Sequence, residues 1–486
     1  MSLEHGRRIF GVETEFGTLS TGALTHYNQN VVESIVDTIF LDQGHGVIDL
    51  HARDDIFEPA ASGGFLVNGA RLYIDAVGSH LEYATSECQQ LKDLVANDRA
   101  GQRLILQAMH ELDYGDEVAI YNNSVDHFGG HTFGCHENYL IRIDEDFLNT
   151  SVLGLYPFLV TRQIFSGVGR VGGHVLGQGG KRPTYQDVVD HPVDYIWVSH
   201  VYSVKPDPKV KFQLSQRADH ILKPIASRVR FNRALINPKW DHFYNFDGLT
   251  RLHLLFGESN QNEFAYALKI GTTSMVLRLV EERKIPASLR LMDPIETLRS
   301  VSRDETMTWP VLLADGSTIS AIELQRRYLE LCAEYRGESE QGDWVLDEWE
   351  AILDGLETNP MALGDRIDWV AKRQIVEQYM ADAGVDWSDD SLHSVDLEYH
   401  NIDPEQSLFY AWQDLGNTRR ICTDIDIMEA MTEAPQDTRA LGRSMLVRKV
   451  LERRDLRHYA FDWNAVQLGP GTYVEMPNPF ETYANP

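Results

Sequence analysis

The sequence predicts an α+β fold, and three observations predict it. Short apolar, β-rich runs punctuated by Gly and Asn fill the first half. Helical periodicity dominates from about residue 263 to residue 383, and the strand candidates cluster instead of alternating with helices. Four of those strands split into one apolar and one polar face, the pattern of a sheet packed on one side and open on the other. A chain of 486 residues is long enough for one large core or two to three modest domains.

The strands carry the chemistry. In Ile9-Phe-Gly-Val-Glu-Thr-Glu-Phe-Gly, period two places Glu13 and Glu15 on one face and Val12, Thr14 and Phe16 on the other. Two neighbouring carboxylates repel unless a cation lies between them or the face is in water. In the run from Asn68 to Val77, Arg71, Tyr73 and Asp75 share a face against Leu72, Ile74 and Ala76. Arg offers a fork for phosphate, Tyr a hydroxyl, and Asp a base or nucleophile. His80, Glu82, Thr85 and Glu87 follow directly. A third run from Gly134 puts His136 and Asn138 on one face, and a fourth from Thr250 does so for Arg251 and His253. Singly, each reads as a solvated face, a salt-bridge ladder or a core histidine. Together they predict a curved sheet lining a cleft for a metal-nucleotide complex.

The remaining elements are plainer. Residues 18–64 and the glycine-rich stretch 167–198 read as loops or insertions. Gly167-Val-Gly-Arg-Val-Gly fits G-x-G-x-x-G, but further glycines follow where a helix is required, so it reads as a flexible substrate-side loop. Between Lys205 and Lys239 basic residues cluster, including Lys209, Lys211, Arg217, Lys223, Arg228, Arg230 and Arg233. They form a solvated face or a dock for an acidic peptide or nucleotide phosphate. Leu324, Tyr328, Leu331 and Cys332 make the buried stripe of a core helix. Apolar periodicity restarts near residue 420, which divides the chain into a catalytic domain, 1–415, and a small C-terminal domain, 416–486.

Charge and cysteines narrow the setting. Lys+Arg 44 against Asp+Glu 73 leaves a net charge of -29, which argues against nucleic acid as a partner. The four cysteines have no metal-ligand spacing, and no apolar run is long enough for a membrane span or a signal peptide. The expectation is a cytoplasmic protein with no membrane partner.

Read in order, Gly11-Val-Glu-Thr-Glu-Phe-Gly, Asn68-Gly-Ala-Arg-Leu-Tyr-Ile-Asp, Glu82-Tyr-Ala-Thr-Ser-Glu-Cys, Tyr121-Asn-Asn-Ser-Val-Asp, Gly134-Cys-His-Glu-Asn-Tyr-Leu and Pro157-Phe-Leu-Val-Thr-Arg-Gln resemble signature blocks of one family. So do Leu214-Ser-Gln-Arg-Ala, Arg251-Leu-His, Lys269-Ile-Gly-Thr-Thr, Ile367-Asp-Trp-Val-Ala-Lys-Arg, Val395-Asp-Leu-Glu-Tyr-His and Phe461-Asp-Trp. The family is that of Pup ligases and Pup deamidases/depupylases, and the resemblance spans nearly the whole chain. It implies a glutamine-synthetase-like curved antiparallel sheet packed by helices, plus a small C-terminal domain. It also implies that ATP phosphorylates the C-terminal Glu γ-carboxylate of a small disordered modifier, Pup. A lysine of a substrate protein then attacks to give an isopeptide bond. The sister branch hydrolyses that bond or deamidates a C-terminal Gln.

Carried over residue by residue, Glu13, Tyr73 and Glu82 match Mg2+ ligands, with Glu15, His136 and His253 as neighbours in that site. Arg71, Thr85, Asn138, Arg251 and Trp463 match nucleotide contacts, and Asp75 matches the catalytic aspartate. Cys135 within its block and the closing Asp462-Trp motif are ligase-like. The segment after the first strand is longer than in typical ligases, Leu81 stands where Pro is usual, and Asn237-Pro-Lys-Trp-Asp-His replaces Asn-Thr-Arg-Asp-Glu-Pro-His. The resemblance therefore implies a divergent member of the ligase branch, acting on a Pup-like modifier, with the hydrolase as the alternative.

Overall fold

The computed structural model describes residues 7–24, 28–49, 63–75, 80–127, 130–142, 146–177, 204–226, 233–238, 246–453 and 458–484. Among these, ten strands form the main sheet. They are β1 (Phe10–Ser20), β2 (Gly46–Ile48), β3 (Gly63–Leu66), β4 (Arg71–Asp75), β5 (His80–Ala84), β6 (Val118–Tyr121), β7 (Cys135–Arg142), β8 (Lys223–Ile225), β9 (Ala234–Asn237) and β10 (Leu249–Leu254). Their order is β8-β9-β10-β7-β1-β5-β4-β3-β2, with β6 pairing the far half of β1. Every pair is antiparallel except β8 with β9 at the edge.

The strand pattern holds as expected on β1, whose residues alternate between buried and half-buried from Phe10 to Glu15. The buried side packs on α2 (Leu91–Glu111) and α4 (Glu263–Glu281), with α1 (Asn28–Asp37) and α3 (Val152–Thr161) alongside. Phe10, Val12, Ile141 and Leu252 meet Leu94, Val95 and Leu268 in the larger core, and Phe16, Leu72 and Leu81 meet Ile35, Val36 and Ile105 in a second. Asn262 starts α4 by accepting the N–H groups of Phe264 and Ala265. The predicted core helix is α5 (Ala321–Cys332), with Leu324, Tyr328 and Cys332 buried against α6 (Glu340–Thr358).

Residues 18–64 are not the loop expected from sequence. Thr18 to Ser20 finish β1, α1 follows, and β2 joins the sheet; residues 50–62 lie outside the described region. Val31, Val32, Ile35 and Val36 bury one face of α1, and their close apolar spacing outweighs the polar residues around them. The glycine-rich stretch is likewise ordered through Gly177, while residues 178–198 lie outside the described region. Two short strands, Arg170–Val171 and Phe212–Gln213, pair there. Beneath them α7 (Asp368–Ala383) and α8 (Ser391–Glu398) supply a buried polar network. Lys372 Nζ donates to Asp396 at 2.6 Å and to the Gly169 carbonyl at 2.8 Å, and His174 Nδ1 sits 3.0 Å from His220 Nε2.

The described basic residues between Lys205 and Lys239 differ in burial. Lys205, Lys209, Lys211 and Lys223 are exposed, Arg217 is buried, and Arg233 sits 3.1 Å from His220; Arg228, Arg230 and Lys239 lie outside the described region. Near the C-terminus, α9 (Ala440–Glu452) packs with a three-stranded antiparallel sheet of β11 (Tyr459–Phe461), β12 (Ala465–Leu468) and β13 (Tyr473–Glu475). This segment shares a core with Val47, Phe65 and Val67 of the main sheet's edge. All four cysteines are free and buried, and no described helix is long and apolar enough to cross a membrane.

Candidate active site

Strand register assembles the polar face into rows. Directly opposed residues in antiparallel strands share a face about 5 Å apart. Tyr73 of β4 opposes Glu82 of β5, which opposes Glu15 of β1. One step along, Arg71 opposes Ala84, which opposes Glu13, which opposes His136 of β7. Beyond these, Asn138 opposes His253 of β10, and at the other end Asp75 opposes His80. Residues separated by as many as 240 positions thus meet on one surface because each sits at an outward position of its strand.

Glu13 is the hub. Its Oε1 accepts from Asn138 Nδ2 at 3.1 Å and from Arg251 Nη1 at 3.3 Å, and its Oε2 lies 3.4 Å from both His136 Nδ1 and His253 Nε2. Glu13, His136 and His253 offer three ligand atoms within 4.8 Å of one another. Burial would raise the Glu13 pKa, but the neighbouring His253, His136 and Arg251 hold it well below the usual carboxylate range. Glu15 is engaged elsewhere: its Oε2 accepts the Gly134 N–H at 2.7 Å and lies 3.3 Å from His80 Nδ1. Gly134 is required there, because a Cβ would stand 2.5 Å from His136 Nε2 and 2.7 Å from Glu15 Oε1.

Glu82 behaves in the opposite sense. Burial first, then the charges of Glu13, Glu15 and Asp75, push its pKa well above the ordinary value. Tyr73, hydrogen-bonded to Glu82, is also pushed up by burial and by Glu82 and Glu13. Arg71 lies 4.2 Å over the Tyr73 ring and pairs with Asp49 at 3.0 Å.

A cavity opens beside this cluster. Thr85, Asn138, Arg251 and Trp463 line it together with Glu13, so four of the five sequence-predicted nucleotide contacts converge; Arg71 stands in the Glu13 row, two strands over, outside the lining. Thr85 Oγ1 already accepts the Val12 N–H at 3.0 Å.

Three participants were not legible as site residues. His80 faces Asp75, and the stretch after Asp75 gave no reason to prefer it over its neighbours. Arg217 reads in sequence as part of a surface basic run, yet it is buried; its guanidinium donates to the carbonyls of Phe133 and Leu255, at 3.3 and 3.2 Å, and its backbone N–H to Ser215 Oγ and Glu258 Oε1, both at 3.1 Å. Among the described residues no carboxylate forms an ion pair with it, and burial with the nearby Arg233 lowers its pKa to about 10 despite the attraction of Glu15. Arg439 also lines the cavity, and nothing in its local sequence announces it.

A concave sheet with clustered carboxylates, imidazoles and guanidiniums beside a cavity suits phosphoryl transfer to a carboxylate, and with the fold it defines a carboxylate-amine ligase. The particular family follows from comparison. The chain belongs to the Pup-ligase protein family, whose profile matches residues 8–467. It is 35% identical over 474 residues to the Pup–protein ligase of Kineococcus radiotolerans, covering 95% of this chain and 93% of that protein. It is 32% identical over 479 residues to the Pup–protein ligase of a Nocardioides species, with the same coverage. Among solved structures, a complex of the modifier Pup with its ligase PafA matches with TM-score 0.77 at 28% identity, covering 98% of this chain and 90% of that one. A Pup ligase PafA in complex with ADP matches with TM-score 0.72 at 29% identity, covering 93% and 91%. The enzyme is an ATP-dependent ligase of the Pup-ligase type.

Proposed function

We propose that this enzyme joins the γ-carboxylate of the C-terminal Glu of a Pup-like modifier to lysine side chains of substrate proteins. The observation that carries the residue assignments is the convergence of Glu13, His136 and His253 beside a cavity lined by Thr85, Asn138, Arg251 and Trp463. In this reading ATP occupies the cavity with its phosphates toward Glu13. A carboxylate oxygen of the modifier attacks the γ-phosphorus, ADP leaves, and a γ-glutamyl phosphate forms. The lysine amine then attacks the acyl carbon, phosphate leaves, and the isopeptide bond remains.

The site's donor set fits Mg2+. Glu13, Tyr73 and Glu82 supply oxygen donors, with His136 and His253 beside them, and the raised Glu82 pKa marks negative charge that a cation would relieve. Bound there, Mg2+ supplies charge neutralisation for the polyphosphate. The chain's own residues do the rest. Arg71, held by Asp49, and Arg251 stabilise charge on the transferred phosphoryl. Arg217, whose guanidinium forms no ion pair among the described residues, is suited to an anionic group of the modifier. Asp75 takes the proton from the lysine ammonium, since only the free amine is nucleophilic. Glu15 orients His80 beside it.

We read residues 1–415 as the catalytic domain and 416–486 as a small C-terminal domain that closes the nucleotide end through Trp463. Free buried cysteines accord with a reducing cytoplasm. The deciding experiment combines the protein with ATP, Mg2+, a Glu-ended modifier and a lysine-bearing acceptor. ADP release matched by conjugate supports ligation. Cleavage of a preformed conjugate without net ATP turnover supports the hydrolase and overturns it.

A further inference from the structure

The cavity lining has two chemically distinct parts. Glu13, Asn138 and Arg251 are joined to one another by hydrogen bonds, and Ile9, Leu140, Pro479 and Trp463 are mainly apolar. Arg439, tied to Pro479 through its backbone, also lines the cavity and is 6% exposed. Its Nε donates to Glu87 Oε1 at 2.8 Å, its Nη1 to the Met476 carbonyl at 3.2 Å, and its backbone N–H to the Pro479 carbonyl at 3.2 Å. Its Nη2 has no partner among the described residues. A guanidinium in the cavity lining with a donor not used by the described residues can give a hydrogen bond to a ligand.

The surroundings are rigid. Glu87 is held by Arg443 as well as Arg439, and Arg443 also donates to the carbonyls of Gly69 and Trp463, both at 2.8 Å. Burial alone would raise Glu87, but these two guanidiniums override it and keep its pKa at about 2, so the pair stays charged at any working pH. Trp463 is fixed by Phe65, edge-on at 5.2 Å, and by Arg443, 4.8 Å from its ring. One carboxylate shared by two guanidiniums leaves this group a positive charge, and what favours a planar group here is the apolar lining of Ile9, Leu140 and Pro479 beside the Trp463 ring. A flat aromatic group against Trp463 brings in-plane acceptors to a donor-only fork.

We propose that Arg439 is a specificity-determining residue for the nucleotide, its Nη2 donating a hydrogen bond to a ring nitrogen of the purine base seated against Trp463. The proposal rests on the nucleotide reading above and adds the group that reads the base. Arg439→Lys keeps the charge facing Glu87 and removes the fork together with its bond to the Met476 carbonyl, so the melting temperature should fall by a few degrees while the variant stays folded. Its KM for ATP should rise about tenfold or more, the effect of a lost charge-assisted hydrogen bond, with kcat within about twofold. In the wild type, one of 1-deaza-, 3-deaza- and 7-deaza-ATP should lose the same factor relative to ATP, and that analogue should lose nothing further in Arg439→Lys. If all three deaza analogues bind the wild type like ATP, or if 2′-deoxy-ATP alone shows the loss, the base contact is overturned even where the variant misfolds. Failure of the wild type to bind ATP at all would instead remove the nucleotide reading and this proposal with it.

Discussion

Replacing Gly134 by Ala tests the site without altering any group that reacts. The glycine has an ordinary backbone conformation, so alanine costs nothing there except space. Its Cβ would meet His136 Nε2 at 2.5 Å, and ordinary contact begins near 3.4 Å. Something must therefore move by about 0.9 Å, the difference between those distances. If His136 moves, its 3.4 Å contact with Glu13 breaks; if Glu15 moves, its 2.7 Å bond from the Gly134 N–H and its pairing with His80 weaken. Displacements of about 1 Å in a positioned site cost on the order of 100-fold in rate, which is about 2.7 kcal/mol in the barrier. The expected result is a fall of about that size in kcat/KM for conjugate formation, with a higher Mg2+ requirement. Steady-state ADP release and gel-resolved conjugation at varied Mg2+ measure it. A variant whose rate and Mg2+ dependence stay within about twofold of wild type would refute the placement of His136 and Glu15 in the working site.

Three further outcomes are expected. Asp75→Asn should abolish isopeptide formation while ATP binding, followed by tryptophan fluorescence, stays near wild type; undiminished conjugation would remove Asp75 from catalysis. Glu13→Gln takes away the charge that four side chains converge on, so half-saturating Mg2+ should rise roughly tenfold or more, in line with losing one charge-assisted contact, and an unchanged titration would count against the cation site. His127→Gln addresses acid stability: burial first, then Arg170 and other cations, hold His127 at about 3 although Asp396 opposes them. The unfolded chain, with an ordinary histidine near 6.5, binds the extra proton as pH falls below that value, so this group stabilises the fold above pH 6.5 and the contribution is lost on acidification. Between pH 7.5 and 5 the wild type should lose about 2 kcal/mol more than the variant in urea unfolding; an equal difference at both pH values would show that His127 is free to titrate.

The polar strand faces were legible because period two needs no tertiary information. Once Glu13 and Glu15, Arg71 and Tyr73, or His136 and Asn138 are two apart in a β-prone run, their common face follows. Register was not legible: nothing in the strands' own residues says that Glu13 stands opposite His136 and not one row away at Asn138, yet a two-residue slip would dissolve the Glu13–His136–His253 cluster. The helix α1 was missed because its polar neighbours and the acidic segment after it read as a surface insertion, and only contact with Phe16 and Leu72 makes Val32, Ile35 and Val36 a core face. Arg217 and Arg439 were missed for a common reason: an arginine's burial depends on what long-range packing leaves around it, and composition near either residue points outward.

That asymmetry bears on how a chain of net charge -29 accommodates anionic ligands. Of the Lys205–Lys239 stretch, the described lysines Lys205, Lys209, Lys211 and Lys223 are exposed to solvent. Positive charge instead stands on the sheet and its flank: half-buried Arg251 next to Glu13, buried Arg71 beside Tyr73, and buried Arg217 with no carboxylate ion-paired to its guanidinium among the described residues. A guanidinium shielded from solvent exerts more force on an anion than several at the surface. The surplus of surface carboxylates then does not compete, because solvent and salt screen it over about 8 Å at physiological ionic strength. An acidic protein can in this way bind an anionic nucleotide and an acidic modifier tail, provided its few buried arginines are aimed by register and not by composition.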